Sequence, residues 1–151
     1  MNTNVKVYID TNVLFNYCVD QQKEIAIINY LTKVRRKENL FVSSLSVIQI
    51  VSILQSRNKK NFSNEQKHNA INNLRSVLKK FSVARLEEKD IAATLGFDDL
   101  EYDLEDVAHY CIYKKTNCDL LITNNVSDFS KFKPDVNVLS AHLGMIKNEI
   151  D

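Results

Sequence analysis

Apolar and polar positions follow two periods along this chain, a short β-branched one and one that recurs every three to four residues. Val5-Lys6-Val7-Tyr8-Ile9 reads as a buried strand, and Leu40-Phe41-Val42, Phe81 to Leu86, Leu120 to Thr123 and Val136 to Leu139 as four more. Between them lie helical spacings. Thr11 or Asn12 can cap a short helix through Val19, with Val13, Leu14, Tyr17 and Cys18 inward. Residues 24–38 place Ile27, Ile28, Leu31 and Val34 on one face. Ser43, Ser44 or Ser46 caps a helix carrying Val47, Ile48, Ile50, Val51, Ile53 and Leu54, apolar enough to be largely buried. Residues 64–80 put Ala70, Ile71, Leu74, Val77 and Leu78 inward, and Glu87 to Leu95 closes at Gly96. Asp103 to Lys115 turns Leu104, Val107, Ala108, Cys111 and Ile112 inward and stops at Asn117, and Ala141 to Ile150 ends the series.

Strands alternating with helices predict an α/β fold of three layers, a central parallel sheet of about five strands flanked by helices. In such sheets ligands meet the C-terminal strand ends where the strand order reverses. Asp10 follows the first strand, and Asn124 to Asp128 follow the fourth. The pattern shows no internal repeat and no boundary, so residues 1–151 are expected to form one domain.

Composition narrows the classes. Leu, Ile, Val and Phe number 49 of 151 residues, enough for a folded core. Gly and Pro together number three, against about 18 at average usage, which argues against turn-rich all-β folds and flexible linkers. Asn, with 17 copies, is expected to fill many turn positions instead. No apolar run approaches the ~18 residues of a membrane span. The polar start, with Cys18, Cys111 and Cys118 scattered and unpaired in spacing, leads to the expectation of a cytoplasmic protein with reduced thiols.

Charge is unevenly placed. Residues 1–80 hold 13 Lys and Arg against 5 Asp and Glu, whereas residues 81–151 hold 7 against 14. Asp98 to Asp106 packs six carboxylates into nine positions. A basic half beside an acidic cluster suits an anionic substrate brought to a cation, and equally describes ordinary solvated faces.

The motifs sharpen this. Ile9-Asp10-Thr11-Asn12-Val13-Leu14, Asp103-Leu104-Glu105-Asp106-Val107-Ala108 and Leu121-Ile122-Thr123-Asn124-Asn125-Val126-Ser127-Asp128-Phe129 fall in order on the expected elements. Together they resemble the PIN domain, a metal-dependent nuclease fold, and most nearly the toxins of VapC type. The resemblance implies an endoribonuclease in which Asp10, Asp106 and Asp128 hold Mg²⁺ or Mn²⁺, with Asp103 as a further acid. Phosphodiester hydrolysis fits such a donor set, because oxygen ligands suit these ions and the ion stabilises a negatively charged transition state. Asp10 can also be read as a helix cap, Asp103 and Asp106 as a capped, dipole-matched helix start, and Asp128 as a turn residue before a core Phe129.

Thr11 and Asn12 are expected to orient a metal-bound water or a phosphate, and Gln49, Thr123 and Asn125 to stand behind the acids, with turn chemistry as the competing reading for Thr123, Asn124 and Asn125. Two positions depart from the family pattern. Ser44-Leu45-Ser46-Val47-Ile48-Gln49 places an amide where many relatives carry glutamate, and Asn125 replaces an aspartate. Two fewer charges favour one ion over two. Glu105 is expected to point elsewhere and be solvated, and His109 to be a surface or hydrogen-bonded histidine.

Arg57, Lys59 and Lys60 form the favoured RNA-phosphate contact among several short basic clusters, Lys131-x-Lys133 included. Unpaired RNA is the expected target, since its base edges are accessible. The resemblance also implies a cognate antitoxin and a homodimer. Two rivals remain. One is a weakened PIN domain that binds RNA or protein without cutting. The other, a phospho-acceptor domain, lacks the acidic pair, acceptor Asp and Lys that it requires at its strand ends.

Overall fold

The computed structural model describes residues 4–56, 62–97 and 102–151. Five short strands form one parallel sheet: β1 (Val7–Ile9), β2 (Leu40–Ser43), β3 (Ser82–Ala84), β4 (Leu120–Thr123) and β5 (Val138–Ser140), in the order β3-β2-β1-β4-β5. The chain runs outward from β1 in one direction, then returns to lay β4 on its other side, so the order reverses between β1 and β4. β1 is central and fully buried, which its unbroken apolar sequence requires. Val7 and Ile9 enter one core and Tyr8 the other, giving three layers.

The first core receives α1 (Thr11–Cys18), α2 (Gln22–Val34), α3 (Ser44–Gln55), α4 (Asn64–Leu78) and α8 (Leu143–Ile150). The second receives α6 (Leu104–Lys115) and α7 (Val126–Phe129), with α5 (Glu88–Leu95) packed on α6. Among the described residues, no helix is long and apolar enough to cross a membrane.

Several expected boundaries move, each for a local reason. Asp10, not Thr11 or Asn12, caps α1: its backbone is extended and its Oδ1 accepts from the Thr11 amide at 2.8 Å. The helix expected through residue 38 ends at Val34. There Arg35 turns extended and its guanidinium donates to the carbonyls of Val34 and Ile150, tying the helix end to α8. Ser43 is the cap of α3. That helix buries Ser46, Ile50 and Leu54 and leaves Ile48 64% exposed, so its apolar sequence overstates its burial. Leu104 is likewise exposed rather than inward.

The third strand shrinks to Ser82–Ala84 at the sheet edge, the fifth shifts to Val138–Ser140, and α8 begins at Leu143 behind His142. Asn117, just past the end of α6, has a positive φ of 54°, whereas Gly96 closes α5 with a right-handed backbone. Asp20, at φ 62°, and the short helix α7 have no counterpart in the hydrophobic pattern.

Candidate active site

The crevice between the C-terminal ends of β1 and β4 holds Asp10. Its amide donates to the Ile122 carbonyl at 3.0 Å, so the residue is fixed by the sheet before its side chain is considered. Both carboxylate oxygens then receive donors. Oδ1 accepts from the Thr11 amide, and Oδ2 accepts from Thr123 Oγ1 at 2.7 Å and Asn12 Nδ2 at 3.1 Å. Asp10 is only 6% exposed. Convergent donors of this kind hold a carboxylate in one orientation.

The donors are themselves held. Thr123 Oγ1 accepts from the Asn125 amide at 3.0 Å, and Asn12 Oδ1 accepts from the Asn124 amide at 3.1 Å. Behind them sits Glu24, 1% exposed on α2. Its Oε1 accepts from Asn16 Nδ2 at 3.1 Å and Asn124 Nδ2 at 3.2 Å. Burial by itself would raise the pKa of this carboxyl, but the two amides, its own backbone and nearby Lys23 bring it below the ordinary glutamate value, so it stays ionised. Sequence reasoning missed Glu24. The available signal was its place three, four and seven residues before Ile27, Ile28 and Leu31, on the buried stripe.

A second network joins α1, α3 and α6. Thr11 Oγ1 lies 2.7 Å from Ser46 Oγ and donates to Gln49 Oε1 at 2.7 Å. His109 Nε2 is 3.1 Å from Thr11 Oγ1 and 3.2 Å from Gln49 Oε1, and its Nδ1 is 2.6 Å from the Tyr8 hydroxyl. Burial, then the charge of Asp10, pushes the Tyr8 phenol up and keeps it protonated. A phenol donating to Nδ1 leaves the ring hydrogen on Nε2, facing the oxygens of Thr11 and Gln49. Burial also lowers the pKa of His109, against the pull of Asp10, so the ring is neutral near pH 7. His109 is therefore the hydrogen-bonded histidine of the expectation, but inside the molecule. Gln49 turns its oxygen inward to these partners and its Nε2 to Glu105 Oε2 at 2.9 Å.

Glu105 thus corrects the sequence reading. It is exposed, as expected, but it faces the crevice and does not point away from it. A cleft of about 540 Å³ is lined by Asp10, Thr11, Asn12, Gln49, Glu105, Asp106, His109, Asn125 and Asp128, with Phe15, Ile48 and Ile53 supplying apolar wall. Asp103 caps α6 by accepting from the Glu105 amide at 2.8 Å and lines an adjoining hollow instead. Asn125 is the first flank of α7 and makes no side-chain cap there.

Asp106 records the crowding. Burial, then the charges of Asp103, Asp128, Asp10 and Glu105, raise its pKa to about 7. Among the described residues, no three His, Cys, Asp or Glu side chains are gathered closely enough to cage a metal ion. Arg57, Lys59 and Lys60 lie outside the described residues.

Residues 7–133 match the family described as the PIN domain. No curated protein matches the chain at a significant level. Solved structures do. The chain is similar to VapBC2 from Rickettsia felis bound to a DNA fragment from their promoter, at 15% identity and a TM-score of 0.65, over 90% of this chain and 98% of that one. It is similar to a toxin–antitoxin complex from Klebsiella pneumoniae at 14% identity and a TM-score of 0.64, over 91% and 98%. FitAcB from Neisseria gonorrhoeae matches at 18% identity and a TM-score of 0.65, over 89% and 97%. At these identities the likeness is one of fold.

Proposed function

The chain belongs to the PIN domain family, and from that premise we propose that its cleft hydrolyses RNA phosphodiester bonds with a divalent cation. The observation that carries this reading is the cleft at the ends of β1 and β4, which Asp10, Glu105, Asp106 and Asp128 line together, crowded enough that burial and four neighbouring carboxylates raise the pKa of Asp106 to about 7. Such repulsion is a standing cost that a cation relieves. The donors are hard oxygens, which suit Mg²⁺ or Mn²⁺. Mg²⁺ is commonly held through one or two carboxylates and its own waters. Asp10, Asp106 and Asp128 line the place where the ion would sit, one or two of them binding it directly and the rest through its waters, with Asp103 and Glu105 beside them.

When bound, the ion supplies Lewis-acid charge to the phosphoryl group and makes water a better nucleophile. The chain supplies orientation. Thr123, Asn12 and the Thr11 amide fix both oxygens of Asp10, while Gln49 aims Glu105 from the far side. Asn125 supports Thr123 through its amide.

The biological setting we propose is the toxin of a toxin–antitoxin pair, acting in the cytoplasm, in support of which a complex so described is among the structures of similar fold. The apolar wall of Phe15, Ile48 and Ile53 offers an antitoxin segment something to cover beside the acids. A homodimer and an RNA contact through Arg57, Lys59 and Lys60 complete the proposal.

The test is cleavage of a panel of structured RNAs by purified protein with Mn²⁺, with EDTA, and by Asp10→Ala. Metal-dependent cuts lost in the variant are expected. Unchanged cutting by Asp10→Ala would sink the assignment. One observation favours a second reading, binding without cutting: Gln49 spends its oxygen on Thr11 and His109 and has none to offer a cation. Saturable Mn²⁺ binding by calorimetry, if absent, would favour that reading.

A further inference from the structure

Beside the cleft, a second hollow of about 390 Å³ lies between the start of α6 and the turn after α7, and the two share Glu105, Asp106 and Asp128. Its chemistry differs from that of the cleft. One wall is aromatic: the half-buried Tyr102 ring is stacked on buried Phe132 at 5.5 Å and 27°, and Phe132 is stacked in turn on Tyr110 at 4.5 Å and 6°. Lys131 Nζ lies over the Tyr102 ring, 5.7 Å from its centre. Phe97 meets the edge of Tyr102 at 5.5 Å and 76°, which fixes the plane of the ring.

We propose that this hollow takes one unpaired base of a single-stranded RNA, stacked on Tyr102, next to the phosphate held at the acids. The proposal rests on the nuclease reading for the identity of the strand. Three features favour a base over other parts of the strand. A phosphate entering the hollow would meet Asp103 as well as the shared Glu105, Asp106 and Asp128, of whose charge one divalent ion in the cleft would offset only part, whereas a neutral base is not repelled. An aromatic face is the surface on which bases stack, whatever their sequence, and only an unpaired base has a face to give. Lys131 stands over the ring at the rim of the hollow, where its charge can pair with the phosphate next to a stacked base. Because the hollow and the cleft share three acids, a base in one places the adjoining backbone at the other.

The test measures binding of a fluorescent single-stranded oligoribonucleotide by anisotropy in Mg²⁺. Every protein measured in Mg²⁺ is the full chain carrying Asp10→Asn, so that the strand stays intact. Tyr102→Leu keeps an apolar side chain on Phe132 and removes the π face. It should weaken binding about tenfold, and Tyr102→Phe should bind as its parent does. Lys131→Met should lower the slope of log affinity against log salt by about 0.7. A strand with an abasic site at the stacked position should bind the parent more weakly and Tyr102→Leu no more weakly than the intact strand does.

Equal binding by Tyr102→Leu and the parent, with matching circular dichroism and Tm, would overturn the proposal. So would failure of both the parent in Mg²⁺ and the wild-type chain in Ca²⁺ to bind the strand. Failure of the nuclease reading shows elsewhere, as absence of Mn²⁺-dependent cleavage by the wild-type chain, so the two are told apart.

Discussion

Two regions of the same cleft treat their carboxylates in opposite ways. At the β1–β4 crevice, Asp10 is buried among three donors, and Glu24 behind it is held below the ordinary glutamate range. At the start of α6, Asp106 sits among like charges and its pKa is raised to about 7. The first region is satisfied by the protein alone. The second is left with excess charge, so it is the part of the site that gains most from a cation. A rigid oxygen on one side and a repelled group on the other is an arrangement in which orientation is built by the fold while binding energy comes from the ligand.

The largest way to break this comparison is Asp10→Ala. Loss of metal-dependent RNA cleavage should exceed the roughly 10–100-fold typical of an outer-shell partner, with circular dichroism unchanged. Thr123→Val removes the 2.7 Å donor and keeps the shape. It should cost about 10–100-fold in Mn²⁺ affinity or in cleavage, and a value indistinguishable from wild type would show that the orientation of Asp10 does not depend on this hydroxyl.

Glu24→Leu leaves the Asn16 and Asn124 amides without their buried acceptor and should cost about 1–3 kcal/mol of stability by urea unfolding at neutral pH. Because the folded-state pKa of Glu24 is depressed, its contribution is present above the unfolded value of about 4.3 and is lost as pH falls through the folded one. The gap between wild type and variant should therefore narrow in acid.

Asp106 should behave in the reverse sense, and its effect should be the smallest. Its folded pKa is raised, so between its ordinary value near 4 and about 7 the folded chain keeps a proton that the unfolded chain releases. Stability from this group falls as pH rises across that window. Asp106→Asn should then be more stable than wild type at pH 7 by about 1 kcal/mol, a modest figure because the group is half-exposed and screened by water and salt. Added Mn²⁺ should raise the Tm of the wild-type chain and do so less for the variant. A wild-type chain that is the more stable at pH 7 without metal would mean that the crowding is relieved within the protein itself.

Much of the fold was legible because it rests on local periods. Val7-Tyr8-Ile9 has no charged residue and reads as a strand buried on both faces. The three-to-four spacing of Ile27, Ile28 and Leu31 names one face of a helix without reference to anything else. Asp103 as the cap of α6, one of its two readings, follows from its place three residues before Asp106 at the helix start. The same local logic misleads at α3, where an apolar run implies burial. Burial of Ile48 depends on which faces find a neighbour, and the cleft leaves that side chain 64% exposed.

The sequence by itself determined the alternation of strands and helices, the acids at the strand and helix ends, and the resemblance those motifs carry. Tertiary structure alone decided that β4 returns beside β1, which brings Thr123 within 2.7 Å of Asp10 across 113 positions. It decided that Gln49 gives its oxygen to Thr11 and His109 and its amide hydrogens to Glu105, and that Glu24 braces Asn124 from another helix. It also set Tyr102 on Phe132 beside the acids. The physical reason is one of range. Periodicity and capping are fixed by neighbours within about four residues. Hydrogen bonding and charge repulsion act over a few ångströms of space, between residues that only the packed chain brings together.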